Sequence, residues 1–278
     1  MAQLIGGLGT SHIPAIGNAI HKGLQNEPYW KPFFDGFPPI RQWLGEKQPD
    51  VVVMFYNDHG LNFFLDKMPT FAVGAAPEYR NADEGWGIPV VPPFKGDLDL
   101  SWHLIESLVR DEFDITTCQE MLVDHAFTLP MALMYPSQAW PVKVVPVCIN
   151  TVQAPIPSAK RCFALGEAIG RAVASWPGNE RVVVLGTGGL SHQLDGERAG
   201  FINKNFDLKF MDSMVNDPTW ATQFNSHQLV EQTGTQGVEL LVWLATRGAL
   251  GAQVRALHSN YHIPISNTAS GLMLLEPV

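Results

Sequence analysis

The sequence predicts an α/β fold: a single domain over residues 1–278, with a central, mostly parallel or mixed sheet flanked by helices and its site at the C-terminal ends of strands. Three observations predict it. Short runs apolar on both faces recur at residues 51–56 (VVVMFY), 142–149 and 181–186 (RVVVLG), with a weaker run at 4–9. Runs of this length read as strands buried on both sides, as in parallel sheets. Helical patterns separate them, which is the α/β signature. Finally, three of these runs end in a polar group carrying a histidine: Thr10-Ser11-His12, Asn57-Asp58-His59 and Leu190-Ser191-His192. The C-terminal ends of strands are where open α/β sheets bind ligands.

The elements follow in order. Residues 4–9 form the first strand and deliver His12. Residues 17–37 begin helical and become irregular. Pro38 and Pro39 start a short helix reaching residue 47, with Ile40, Trp43 and Leu44 on one face. The strand at 51–56 runs into Asn57, Asp58 and His59, and Gly60 lets the chain turn. Residues 70–75 read as a short edge strand. Residues 81–93 read as loop, broken by Gly85, Gly87, Pro89, Pro92 and Pro93. The whole stretch 28–93 reads as long loops that cover something. Residues 97–110 make an amphipathic helix capped by Asp97, with Leu98, Trp102, Ile105 and Leu108 as its stripe. His125 precedes an apolar helix reaching residue 134. Residues 158–175 are the clearest helix, capped by Ser158. The strand at 181–186 opens onto Gly188, Gly189 and His192. Helices follow at 206–215, 228–233 and 236–246, the last with Glu239 in its first turn. Short strands at 254–257 and 271–275 close the chain around a polar stretch.

Composition narrows the function. The length allows a core that needs no staples. The formal net charge is −9, and no basic stripe appears, which argues against nucleic acid. Three scattered cysteines, Cys118, Cys148 and Cys162, give neither a disulfide framework nor a zinc ribbon and fit a reducing cytoplasm. No signal peptide and no membrane span are expected.

Two imidazoles and a carboxylate on one face of an octahedron are the ligand set of non-haem Fe(II) enzymes, with three positions left open. Zinc takes the same donors and leaves one position for water. His12, His59, His192 and His125 supply imidazoles, and Glu239 is a carboxylate with apolar neighbours. Each alone also has a plain reading. A strand-end histidine is often an ordinary loop residue, and Glu239 suits a helix N-terminus. Neither a nucleotide loop nor a G-x-S-x-G elbow is present.

Taken together, GTSHIP, NDHG, VDHAF, GTGGLSHQLDG and GTQGVELL resemble, in the same order, the motifs of class III extradiol ring-cleavage dioxygenases. Among these the sequence is most similar to the catalytic β subunits of protocatechuate 4,5-dioxygenases. The resemblance implies Fe(II) held by His12, His59 and Glu239. It implies His192 as the acid/base and His125 beside the substrate oxygens. The implied reaction is meta cleavage of a carboxylated catechol by O₂, that of protocatechuate giving 4-carboxy-2-hydroxymuconate semialdehyde. Ser266, Asn267 and Thr268 are the residues expected to meet the ring carboxylate, against an equal reading as an ordinary polar turn. The resemblance further implies a small helical α subunit in an α₂β₂ assembly, with the aromatic stretch 29–37 as a contact. Two other readings stand beside it: a zinc-dependent hydrolase on the same ligands, and a non-enzymatic metal-site binding protein of the same fold.

Overall fold

A computed structural model describes residues 1–85, 88, 90–137, 139–265 and 267–278, with Pro264 and Ile265 described by their backbone alone. Gly87, Pro89 and Ser266 therefore lie outside the described residues. The first half of the chain runs β1 (Gln3–Thr10), α1 (Pro14–His21), α2 (Lys31–Phe34), α3 (Phe37–Lys47), β2 (Val51–Tyr56), β3 (Phe71–Gly74), β4 (Glu78–Asn81), β5 (Phe94–Lys95), α4 (Leu98–Arg110), β6 (Thr116–Cys118), β7 (Leu122–Val123) and α5 (His125–Met134). The second half runs β8 (Lys143–Ile149), α6 (Ala159–Ser175), β9 (Arg181–Thr187), α7 (Lys204–Asn216), α8 (Ser226–Thr233), α9 (Leu240–Ala249), β10 (Val254–Ile265) and β11 (Thr268–Pro277).

Eight strands form one mixed sheet in the order β10-β11-β1-β9-β2-β8-β3-β6. Its centre, β1-β9-β2-β8, is parallel. All six residues of β2 are buried, as a strand covered on both faces must be. Each fully buried Val or Phe there contributes roughly 1.5–3 kcal/mol through removal of apolar surface from water. β4, β5 and β7 form a small separate sheet.

The helix that carries Glu239 at its entrance is held unusually close. All ten residues of α9 are buried, because it lies between the sheet and α6. Gly166 and Gly170 sit one turn apart on α6, and a Cβ on either would meet the carbonyl oxygens of Ala245 and Ala249 at 1.9 and 2.4 Å. On the sheet side, a Cβ on Gly186 of β9 would meet Thr246 Oγ1 at 2.4 Å. Small residues on both flanks thus let α9 pack backbone to backbone, fixing where its first turn points.

Several expectations change. Residues 70–75 are not an edge strand: β3 pairs with β8 on one side and β6 on the other. The stripe of α4 is Leu100, Leu104, Ile105 and Leu108, while Leu98 at the first helical position is 37% exposed. Residues 254–275 are not two short strands around a loop but a long antiparallel hairpin, β10–β11. The stretch 28–93 is not loop throughout: α2, α3, β2, β3 and β4 interrupt it. Phe33, Phe34 and Phe37 are buried core residues, so the aromatic stretch 29–37 serves the inside of the fold more than its surface. Caps behave as expected: the Asp97 side chain accepts from Leu100 N–H and Ser158 from Arg161 N–H. Among the described residues, no helix is long and apolar enough to cross a membrane.

Candidate metal centre and active site

The tips of β1, β9 and β2 share one edge of the sheet, because these strands are parallel neighbours. β9 lies in the middle, so His12 and His59 approach each other across its tip. Asp58 shapes the turn after β2 by accepting from the N–H groups of Gly60, Leu61, Asn62 and Phe63, and Gly60 takes a φ of 81° there. Glu239 arrives from behind, at the end of a 3-10 turn (Gly237–Glu239) that leads into α9. Gly188 at the β9 tip adopts φ 144°, and a Cβ there would lie 2.6 Å from that of Glu239. Only glycine allows both the backbone angle and the approach.

Glu239 Oε1 lies 3.5 Å from both His12 Nε2 and His59 Nε2. Its other oxygen accepts from Gly189 N–H at 2.6 Å. Asn57 Nδ2 is 3.2 Å from Glu239 Oε1 and 3.2 Å from His59 Nε2. The remaining ring nitrogens are engaged. His12 Nδ1 meets Thr187 Oγ1 at 3.2 Å, and His59 Nδ1 meets Asp124 Oδ2 at 2.8 Å. His125 stacks on His59 with ring centroids 4.4 Å apart and stands edge-on to His12 at 5.4 Å. Ring nitrogens of His12, His59 and His125 all lie within 4.8 Å of one another.

Burial acts on every charge here. It pushes His12 down, against the pull of Glu239. Burial also opposes a charge on His59, but the carboxylates of Asp124 and Glu239 outweigh it and hold His59 well above its usual value. Asp124 falls to about 2 despite burial, because His59 and His125 adjoin it. Glu239 lies well below the usual carboxylate range, again against burial, through His12, His59 and His192. The carboxylate is thus ionised, with two imidazole nitrogens turned towards it.

That donor set fits a divalent transition metal. Two Nε2 atoms and one carboxylate oxygen converge, and the opposite nitrogen of each ring already has a partner. Such partners fix the tautomer and orientation of metal-binding histidines. Asn57 Oδ1 is buried beside them with no hydrogen-bond partner among the described residues.

His192 sits on the same edge, 7% exposed. Its Nδ1 meets Leu190 O at 2.9 Å, its Nε2 has no hydrogen bond among the described residues, and its backbone N–H donates to Thr233 O. Ser191 donates to Asp207 through both N–H and Oγ–H, and Tyr261 Oη–H donates to the same carboxylate. Burial raises Asp207, partly offset by these bonds. Thr268 is 2% exposed at the start of β11 and is bridged through its backbone to His192. Asn267 is exposed in the hairpin turn with φ 60°. The turn therefore stands beside His192.

Four participants were not singled out from sequence: Asn57, Asp124, Thr187 and Glu84, whose Oε2 meets His125 Nδ1 at 2.6 Å. The first two lie inside NDHG and VDHAF, next to the histidines, where a polar neighbour is a usable signal. Glu84 lies in a stretch read only for its helix breakers and carries no local signal at all.

The family described as the catalytic LigB subunit of aromatic ring-opening dioxygenase matches residues 6–271. A gallate dioxygenase of Pseudomonas putida is 41% identical over 196 residues, 70% of this chain and 57% of that protein. A 2,3-dihydroxyphenylpropionate/2,3-dihydroxicinnamic acid 1,2-dioxygenase of Photorhabdus laumondii is 33% identical over 188 residues, 66% of this chain and 54% of that one. The chain thus spans about half the length of the curated relatives it matches. An uncharacterized Escherichia coli K12 protein of known structure shares the fold, with TM-score 0.56 at 16% identity over 97% of this chain and 99% of that one.

Proposed function

Because the chain belongs to the family of catalytic LigB subunits of aromatic ring-opening dioxygenases, we propose that it cleaves the ring of a carboxylated catechol beside the two hydroxyls, using O₂ and Fe(II). The single observation that carries this reading is Glu239 Oε1 facing His12 Nε2 and His59 Nε2 at 3.5 Å each. These three side chains are the proposed Fe(II) ligands. Held there, Fe(II) would supply the one-electron and Lewis-acid chemistry that lets a catechol react with O₂.

The chain's own groups supply the rest. Asn57 Nδ2 holds Glu239 Oε1 in place. Asp124 and Thr187 fix the outer nitrogens of the two histidines. His192 Nε2 is the group proposed to take a phenolic proton as substrate binds and to return one during ring opening. A histidine suits both directions near neutral pH. His125 is proposed to meet the substrate oxygens from the His59 side. Ser266, Asn267 and Thr268 are proposed to receive the ring carboxylate, supported for the two described residues, Asn267 and Thr268, by the backbone bridge of Thr268 to His192. In the overall reaction one ring carbon–carbon bond breaks and both oxygen atoms enter the product. A small helical α subunit, in an α₂β₂ assembly, is the proposed partner, on the strength of the motif resemblance.

Protocatechuate, cleaved between carbons 4 and 5, is the proposed substrate. Gallate is the second reading, favoured by the Pseudomonas putida relative. Initial rates with protocatechuate, gallate and 2,3-dihydroxyphenylpropionate rank them, each with and without added α subunit. The reading expects protocatechuate or gallate, whose carboxylate sits on the ring, to give the highest kcat/KM. A preference for the propionate would overturn the substrate assignment.

A further inference from the structure

Two carboxylates in this site grip histidines in the same way. Asp124 Oδ2 accepts both the backbone N–H and the Nδ1–H of His59, each at 2.8 Å. Glu84 repeats the clasp on His125, taking the backbone N–H on Oε1 and Nδ1 on Oε2, both at 2.6 Å. Both side chains of the second pair are almost wholly withdrawn from water, at 6% and 5% exposure.

The fold delivers this pair deliberately. β4 and β7 run parallel, with Asn81 opposite Val123. The pairing continues as Ala82 N–H donates to Val123 O. Glu84 lies three residues beyond β4 and His125 two residues beyond β7, side by side. Asn81 braces the far end of the loop by accepting from Val91 N–H. His125 is the first residue of α5, so Glu84 also satisfies an amide at a helix start that no intrahelical carbonyl reaches. Asp124 satisfies the next one, Ala126 N–H.

We infer that Glu84 is a positioning residue for ring cleavage: it holds His125 as the Nδ1–H tautomer, so that Nε2 presents a lone pair to the substrate oxygens. An ionised carboxylate only accepts, so the hydrogen between Glu84 Oε2 and His125 must sit on Nδ1. Stacking on His59 then fixes the ring plane. The inference rests on the catechol-cleavage reading for its kinetic consequence, but the tautomer itself does not.

The test uses Glu84→Ala and Glu84→Gln in the full chain. Ring ¹⁵N correlation spectra of the metal-free protein, with His125 assigned by its loss in His125→Asn, read the tautomer. The expectation is a single Nδ1–H form in the parent, a mixture in Glu84→Ala, and recovery of the Nδ1–H form in Glu84→Gln, whose amide oxygen still accepts. Loaded with Fe(II), Glu84→Ala should bind as much iron as the parent. Its kcat should fall roughly 10–100-fold, the range typical of groups that orient functional histidines, with KM little changed. Partial recovery of kcat in Glu84→Gln completes the expected result. An unchanged tautomer in Glu84→Ala, or loss of iron from it, would overturn the inference. If the parent cleaves no catechol, the function reading fails, and the spectra still decide what Glu84 does.

Discussion

The two edges of the sheet treat their carboxylates differently. Where the strands start, Asp50 meets Arg181 at 3.0 Å, Asp97 meets Lys143 at 3.0 Å, and Glu276 meets Lys47 at 2.9 Å. Each has a permanent cation. Where the strands end, Glu239, Asp124, Asp207 and Glu84 meet only imidazoles, an amide, hydroxyls and backbone N–H groups among the described residues. No Lys or Arg among the described residues makes an ion pair with any of them. The first edge is electrostatically closed. The second sets its buried carboxylates beside groups that are not permanent cations, and a divalent cation would complete such a set.

That contrast can be broken in order of effect. Glu239→Ala removes the oxygen both histidines face. Iron per chain, measured after anaerobic loading and desalting, should fall close to zero. Turnover should fall by more than the roughly 100-fold that outer partners command. His192→Phe should leave iron unchanged and lower kcat about 10²–10⁴-fold, the range for a lost general acid/base. Loss of iron in that variant would make His192 a ligand instead. Asn267→Ala, outside the charged cluster, should raise KM for protocatechuate about tenfold through one lost hydrogen bond to a charged group, with kcat retained.

The smallest effect belongs to the opposite edge. Hydrogen bonds from Arg181 hold Asp50 below its usual value of 3.8, so its contribution to stability is present at neutral pH. It is lost as pH falls through the lowered value. Asp50→Asn should therefore lower the melting temperature slightly at pH 7, not at all in strong acid, and leave kcat untouched. The pair is largely exposed, which keeps this effect small.

The same contrast explains what the sequence made legible. β2 and β9 were readable because two-sided burial demands unbroken apolar runs. The histidines were readable because they follow those runs directly. β10 was legible only at its start, residues 254–257: the half-exposed polar run that follows, HSNYH, lacks the alternation that marks a strand. β4, β5 and β7 are too short to leave a pattern, yet β4 and β7 together bring Glu84 to His125. Contacts made by residues 41 positions apart through strands of four and two residues leave no periodic trace. The inner parts of the site were therefore visible and the groups that orient them were not.

The most direct test of the central claim is O₂ uptake by the metal-free protein given protocatechuate or gallate, before and after anaerobic loading with Fe(II), with Zn(II) as the control. The account predicts no uptake without metal or with zinc. With Fe(II) it predicts one O₂ consumed per yellow ring-opened product formed. Uptake that is indifferent to Fe(II), or tight Fe(II) binding with no ring opening on either catechol, would contradict it.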